Sequence, residues 1–129
     1  MEAVLVLGSN TGNRQGFILD ALRFLEGCGR IIHKTDIYES PDCLGSGRRY
    51  MNAVVVLLSS LDEAALNCRL KAFEAACGRD DNCRLQGLVP IDIDIVVCDG
   101  VVRRPDDFNA SYFRKGFSGI MSEKPYNKF

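Results

Sequence analysis

The chain alternates short β-branched runs with stretches in which apolar residues recur at helical spacing. The run Ala3–Leu7 is apolar and is closed by Gly8, which predicts a buried strand. A helix follows, indicated by apolar residues three or four positions apart: Ile18, Ala21, Leu22 and Leu25. Arg30–Tyr38 then fits a second strand. The first part of the chain therefore predicts strand, helix, strand.

The middle of the chain continues this pattern. Tyr50–Leu58 is rich in valine and leucine and predicts a third strand. Ser60 and Glu63 form a capping box, which predicts the start of a second helix. A polar loop over 79–88 leads to a fourth predicted strand, Val89–Val97. This part of the chain therefore predicts strand, helix, strand once more.

The order β-α-β-β-α-β is that of the ferredoxin-like split βαβ fold. This is an α+β arrangement in which both helices pack on one face of an antiparallel sheet. We expect a single domain over residues 1–129. No period is clear from Pro105 onward, and we expect the end from about residue 118 to be mobile. Because this fold hosts many functions, the function has to be inferred from particular side chains.

Composition narrows the class of partner. The 129 residues include 16 Lys and Arg against 17 Asp and Glu, so no molecule-wide field attracts nucleic acid or an anionic membrane. No apolar run approaches the roughly 18 residues that span a bilayer, and the first residues lack the basic segment of a secretory signal. We therefore expect a cytoplasmic monomer that acts on small molecules and binds neither nucleic acid nor membrane.

Asp92-Ile93-Asp94, in the fourth predicted strand, is the strongest chemical signal. Residues two apart in a strand share a face, so both carboxylates project together. Their repulsion is relieved either by a divalent cation such as Mg²⁺, which can also hold phosphate oxygens, or by nearby arginines on a solvent-exposed face. Because Asp is a poor strand former, the sequence favours the metal.

Polar and basic residues elsewhere could complete a site around these aspartates. Gly8, Ser9 and Asn10 follow the first strand, where they form either an anion-binding turn or a plain one. Tyr50 and Asn52 lie two apart, so an aromatic ring and an amide share one strand face. Basic residues lie near the acidic strand in sequence: Arg79, Arg84, Arg103, Arg104, Arg114 and Lys115. Each of them fits either a polyphosphate clamp or a solvated surface.

Taken in order, these features resemble the 6-hydroxymethyl-7,8-dihydropterin pyrophosphokinase family of folate biosynthesis. Five segments carry the resemblance: Leu7-Gly8-Ser9-Asn10, Ile37-Tyr38-Glu39-Ser40-Pro41, Tyr50-Met51-Asn52-Ala53, Glu74 with Gly78-Arg79, and Ile91-Asp92-Ile93-Asp94-Ile95. Together they are far more specific than any one of them. The fold of this family is also ferredoxin-like, in agreement with the strand and helix pattern.

The resemblance implies an Mg-dependent kinase that transfers the β,γ-diphosphate of ATP to the pterin hydroxymethyl group and releases AMP. It implies that Asp92 and Asp94 hold two Mg²⁺ ions and form the catalytic set with Arg79. Six residues would bind the pterin, with Phe117 stacking on it: Gly8, Ser40, Pro41, Tyr50, Asn52 and Phe117. Four would bind the nucleotide: Glu74, Arg84, Arg104 and Lys115.

The chain also departs from the family pattern. Gln86 stands where tryptophan is common, Val89 where a catalytic-loop arginine is usual, and Asn109 follows Phe108 where a histidine is usual. Three hypotheses follow: an active kinase with an altered ATP site, a homologue that binds a pterin-like ligand without efficient transfer, and a binder of single-stranded RNA on the open sheet face. The retained aspartates favour the first, since a ring binder needs no magnesium site. The near-neutral charge disfavours the third.

Overall fold

A computed structural model of the chain describes residues 1–41 and 47–121. Within them, six strands form one antiparallel sheet: β1 (Glu2–Ser9), β2 (Arg30–Lys34), β3 (Tyr38–Pro41), β4 (Arg49–Leu58), β5 (Asp92–Cys98) and β6 (Val101–Val102). The helices in the same residues are α1 (Arg14–Glu26), α2 (Glu63–Ala76), α3 (Asp81–Leu85), α4 (Pro105–Asn109) and α5 (Ser111–Met121). The strand order is β2-β4-β1-β5-β6, and β3 also pairs with β4. The predicted α+β class with an antiparallel sheet is confirmed.

The sheet buries both of its faces, and each face has its own core. On the first face, Leu5, Val55 and Ile93 pack against α1 and α2, the two helices that the sequence predicted. These helices contribute the apolar residues that their spacing indicated: Ile18, Ala21, Leu22 and Leu25 from α1, and Leu66 and Leu70 from α2. None of the helices in the described part of the chain combines the length and apolar character that crossing a bilayer requires.

The second face is covered by α5, which the sequence did not predict. The helix buries Phe113, Phe117 and Ile120 against the valines of the second face. Residues 118–121 of the end that we expected to be mobile belong to α5, with Ile120 in the core, and the rest of that end lies outside the described residues. The open sheet face that the RNA hypothesis requires is therefore partly covered by a helix.

Two predicted boundaries differ for local reasons. The predicted strand over 30–38 is divided into β2 and β3, because the hydroxyl oxygen of Thr35 accepts a backbone N–H of β4 at 3.0 Å and so replaces a ladder bond. The second helix is capped by Asp62 rather than by Ser60. The Asp62 carboxylate accepts the N–H of Ala65 at 2.8 Å, which satisfies one of the free donors at the helix start.

Candidate functional site

The candidate site lies where the second face of the sheet changes from apolar to polar. The strand register aligns Asn52, Gly8 and Asp92 in one row across β4, β1 and β5. In the next row on that face, Val6 lies opposite Asp94. Since residues two apart in a strand share a face, this row marks the boundary between the core under α5 and a polar end of the sheet.

A cavity of about 210 Å³ opens at this polar end. Its walls come from β1, β3, β4, β5 and α5: Val6, Leu7, Gly8, Ser40, Pro41, Tyr50, Asn52, Asp92, Asp94 and Tyr112. It therefore brings together both aspartates and every predicted pterin-binding residue except Phe117. We refer to it below as the ring cavity.

The Asn52 amide is held rigidly in the wall of the ring cavity. It is 4% exposed, its Nδ2 donates to the carbonyl oxygen of Leu7 at 3.2 Å, and its Oδ1 accepts the hydroxyl of Ser40. A Cβ at Gly8 would lie 3.2 Å from Asn52 Nδ2 and 3.4 Å from the Tyr50 ring. The absence of a side chain at Gly8 therefore leaves room for the amide and the ring.

Asn10, in the turn that the sequence left open between an anion-binding turn and a plain one, binds the loop that follows α3. Its backbone N–H donates to the Val89 carbonyl at 2.9 Å, and its Oδ1 accepts the Val89 N–H at 2.6 Å. Its Nδ2 donates to the Gly87 carbonyl at 2.9 Å. Because Val89 is held in this way and Pro90 has no N–H, β5 begins at Asp92 and not at Val89 as predicted.

Asp92 and Asp94 are surrounded by three cations. Arg79 Nη1 lies 2.7 Å from Asp92 Oδ1, and Lys71 Nζ lies 3.2 Å from Asp94 Oδ1. Arg104 Nη1 lies 3.9 Å from the same Asp94 oxygen. The two carboxylates thus share a face, as the strand period predicted. They also have basic side chains beside them, as expected if arginines and not a cation relieve their repulsion.

Glu74 connects α2 to the edge of β5. Its carboxylate is 6% exposed and accepts three hydrogen bonds, from Ile93 N–H at 2.8 Å, Lys71 at 2.9 Å and Arg79 at 3.0 Å. Lys71 also donates to the Ile93 carbonyl at 3.1 Å. Since β6 pairs only with residues 97 and 98 of β5, Glu74 and Lys71 take the place of a neighbouring strand at Ile93. Glu74 therefore holds two cations beside the aspartates.

The two aspartates share one proton near neutral pH. Burial raises the pKa of Asp94 to about 7, together with the charge of Asp92 and the hydrogen bond that protonated Asp94 donates to it, while Lys71 and Arg104 act in the opposite direction. Burial also acts to raise the pKa of Asp92, but hydrogen bonds from Asp94 and Arg79 and the charges of Arg79 and Lys71 outweigh it. The pKa of Asp92 therefore lies below its ordinary value. A cation at this pair would displace the proton.

The donor set fits Mg²⁺ that is bound jointly with a phosphate. In residues 1–41 and 47–121, no group of three or more His, Cys, Asp or Glu side chains is arranged to hold a metal ion alone. Mg²⁺ in proteins is commonly held by one or two carboxylates and completes its shell with water and phosphate oxygens. Asp92 and Asp94 provide two such carboxylates.

A second, more polar cavity of about 570 Å³ adjoins the ring cavity at Asp94, which lines both. Its walls come mainly from α2, β5 and the segment before α4: Glu63, Ala64, Asn67, Lys71, Asp94, Ile95, Arg103 and Arg104. Three cations line this space, and Arg103 is paired with Glu63 at 3.0 Å. We refer to it below as the cationic groove.

Four predicted ligand-binding residues line neither cavity: Glu74, whose contacts are described above, and Phe117, Arg84 and Lys115. Phe117 is fully buried in the core of the second face, where its ring stacks on Phe113 with centroids 4.9 Å apart. The side chain of Arg84 is 72% exposed on α3 and pairs within that helix. Lys115 donates to the Glu39 carbonyl at 3.2 Å. The ligand-binding roles that the resemblance implies for these residues stay predictions.

The positions that depart from the family pattern make local contacts. Gln86 donates to Asn82 at 3.2 Å, within one turn of α3. Asn109 donates to the Pro105 carbonyl at 2.8 Å, at the end of α4. Arg114, which the sequence offered as a basic candidate, stands 4.1 Å above the Phe108 ring. None of these side chains lines the ring cavity or the cationic groove.

Lys71 lines the cationic groove and Tyr112 lines the ring cavity, although the sequence patterns predicted a site role for neither. Lys71 precedes Glu74 by three residues, a spacing that places both on one helix face, and this signal could have identified it. Tyr112 lines the ring cavity from α5, in a segment where the sequence predicted no element, so no comparable signal was present.

Comparison with known proteins identifies related sequences. The sequence model of the 7,8-dihydro-6-hydroxymethylpterin-pyrophosphokinase family matches residues 4–120, which include all residues that line the two cavities. A folate synthesis bifunctional protein and a mitochondrial folate synthesis bifunctional protein, both from Arabidopsis thaliana, are 33% and 35% identical over 97 residues. A mitochondrial folate synthesis bifunctional protein from Pisum sativum is 34% identical over the same length. Each alignment covers 74% of this chain and 17 to 20% of the relative, so the chain spans about a fifth of the length of the curated relatives it matches.

Proposed function

The chain belongs to the 7,8-dihydro-6-hydroxymethylpterin-pyrophosphokinase family, and we propose on that premise that it transfers the diphosphate of ATP to 6-hydroxymethyl-7,8-dihydropterin in folate biosynthesis. The observation that carries the proposal is the position of Asp94 on the wall shared by the ring cavity and the cationic groove. A hydroxyl bound in one space and a triphosphate bound in the other would meet at the aspartate pair.

The ring cavity suits a flat polar heterocycle. Tyr50 supplies an aromatic surface, and Asn52 supplies an amide whose orientation is set by its bonds to Ser40 and the backbone. The Asn52 amide carries two N–H groups, and in this proposal the one that does not bond to Leu7 donates to the ring edge. Pro41 and Gly8 complete the pterin-binding set that we propose.

The cationic groove suits the triphosphate. Lys71, Arg103 and Arg104 bring positive charge to its walls, and guanidinium groups pair well with phosphate oxygens. Asp92 and Asp94 would hold the Mg²⁺ ions, of which the family resemblance implies two. Bound Mg²⁺ would neutralise charge on the phosphates. In this arrangement Arg79 and Glu74 position the aspartates, and neither of them is assigned a direct contact with the nucleotide.

The reaction requires positioning and no protein nucleophile. The hydroxymethyl oxygen attacks the β-phosphorus of ATP, so that a new O–P bond forms while the bond between this phosphorus and the α,β-bridging oxygen breaks. AMP leaves with the bridging oxygen, and the hydroxyl proton passes to solvent. Rate acceleration comes from holding the two substrates in line and from neutralising charge on the phosphates.

Release of AMP from ATP tests this function directly. We expect AMP to form only when Mg²⁺ and 6-hydroxymethyl-7,8-dihydropterin are both present, and Asp94→Ala to abolish it. Asp36→Ala, which removes a carboxylate that is exposed between β2 and β3, is the matched control and should retain the activity. Folded protein that binds the pterin but releases no AMP would support the homologue without transfer. Protein that binds neither substrate would refute the assignment.

The oligomeric state and the compartment stay predictions. We propose a cytoplasmic monomer that binds neither nucleic acid nor membrane, as its near-neutral charge indicates. Two of the three relatives above are named as mitochondrial. Sedimentation of the purified chain would test the monomer, and imaging of the tagged full-length protein would test the compartment.

A further inference from the structure

Asp107, on α4, connects the two cavities through its side chain. The carboxylate is 16% exposed and has one partner on each oxygen. Its Oδ2 accepts the Nε–H of Arg104, and its Oδ1 accepts the phenol of Tyr112. Each oxygen of one carboxylate therefore holds a side chain of a different cavity, because Arg104 lines the cationic groove and Tyr112 lines the ring cavity.

The hydrogen bond to Asp107 sets the orientation of the Arg104 guanidinium group. Because Nε is held, the terminal Nη groups remain directed to other partners, and Nη1 lies 3.9 Å from Asp94. Arg104 is half exposed, and without this bond its long side chain would have many rotamers to choose from. The carboxylate therefore reduces the entropy that Arg104 loses when its guanidinium binds a phosphate.

Tyr112 is held at two points. Its phenol is bonded to Asp107, and its backbone carbonyl accepts the hydroxyl of Tyr38 at 2.5 Å. Tyr38 begins β3, the strand that also carries Ser40 and Pro41 in the wall of the ring cavity. The ring of Tyr112 is thus fixed relative to the other residues of that wall.

We propose that Asp107 is a positioning residue that sets Arg104 in the cationic groove and Tyr112 in the ring cavity, so that loss of one carboxylate weakens the binding of both substrates. This proposal rests on the function proposed above for the two cavities. It adds to that function a residue of α4, where the sequence predicted no element.

The test compares Asp107→Asn with Asp106→Asn in the full chain. Asp106 lies on the same helix and is exposed, so the control makes the same chemical change one position away. Two probes are titrated separately and together: α,β-methylene-ATP with Mg²⁺, which cannot be cleaved at the reacting bridge, and fluorescent 6-hydroxymethylpterin. Asp107→Asn should weaken each probe about five- to tenfold, since charge-assisted bonds are lost at partly exposed groups. Asp106→Asn should stay within about twofold of the wild type.

Double-mutant cycles separate positioning from a general loss of structure. In a Tyr112→Phe background, Asp107→Asn should no longer weaken the pterin probe and should still weaken the nucleotide probe. In an Arg104→Gln background, the reverse should hold. Effects of Asp107→Asn that persist undiminished in both backgrounds would overturn the proposal, because the carboxylate would then act through neither residue.

The remaining outcomes are also decisive. Wild-type protein that binds both probes, together with Asp107→Asn protein that binds them equally well, overturns this proposal and leaves the proposed function standing. Wild-type protein that binds neither probe overturns both. If Asp107→Asn does not fold, the single variants Arg104→Gln and Tyr112→Phe, which keep Asp107, are titrated with the two probes instead. The proposal then fails unless the first weakens the nucleotide probe and the second weakens the pterin probe.

Discussion

Replacement of Glu74 tests the organisation of the ion-pair cluster through the stability of the protein. Glu74→Ala removes a buried carboxylate that accepts hydrogen bonds from Ile93, Lys71 and Arg79. Glu74→Gln keeps an oxygen for the Ile93 N–H and removes the charge. Glu26→Ala, at the exposed end of α1, is the control for loss of an acidic helix residue.

The expected cost follows from the three bonds. An Ile93 N–H left without an acceptor costs about 1–3 kcal/mol, and the charge-assisted bond to Arg79, which is 25% exposed, contributes about 1.5–3 kcal/mol. The pair with Lys71, which is 42% exposed, adds at most about 1 kcal/mol because solvent screens it. Since both cations keep an aspartate partner, we expect Glu74→Ala to cost about 3–5 kcal/mol and Glu74→Gln about 1–2 kcal/mol.

The assay is urea unfolding at neutral pH in the presence of a metal chelator, followed by circular dichroism and analysed by linear extrapolation. The control should stay within about 0.5 kcal/mol of the wild type. A cost below about 1 kcal/mol for Glu74→Ala would refute the reasoning from these hydrogen bonds. We expect the same variant also to bind α,β-methylene-ATP more weakly, because Glu74 holds Lys71 and Arg79 beside the aspartates. A variant that keeps wild-type stability and still loses this binding would instead support Glu74 as a nucleotide ligand.

Three further predictions concern the core and the aspartate pair. Phe117→Ala should cost about 3–5 kcal/mol in urea unfolding, and the folded fraction should bind 6-hydroxymethylpterin as the wild type does; a stable variant with weakened binding would restore Phe117 as a ligand residue. Asp94 has a pKa of about 7 in the folded, metal-free protein against an ordinary 3.8, so the folded state binds the extra proton. The free energy of unfolding should therefore fall as pH rises from about 4 to about 7, by at most about 1.4 kcal/mol per pH unit. Asp94→Asn should flatten this dependence in the same urea assay, and an unchanged slope would contradict the shared proton. Lys71→Met should raise the Asp94 pKa further, as followed by carboxyl NMR titration, because it removes a positive charge 3.2 Å away; a lowered pKa would show that Lys71 does not pair with Asp94.

Local sequence patterns were sufficient for most strands and for α1 and α2. The period of two in Asp92-Ile93-Asp94 predicted a shared face for the carboxylates, and the structure has Ile93 in the first core and both aspartates at the ring cavity. The family resemblance added Ser40, whose position beside Asn52 no local pattern indicates. The side chains that it assigned to the pterin do meet in one cavity, with the exception of Phe117.

The features that the sequence did not predict depend on contacts between segments that are far apart in the chain. Patterns among near neighbours predicted which residues share a strand face and that the segments of α1 and α2 are helical, because both follow from local backbone geometry. The position of α5 over the second face, which buries Phe117, depends instead on the packing of distant segments. This packing also brought Lys71 to the edge of β5, joined Asp107 to both cavities and desolvated Asp94 enough to raise its pKa. Burial and the pairing of charges depend on which distant segments are in contact, and the strand register of the sheet determines those contacts.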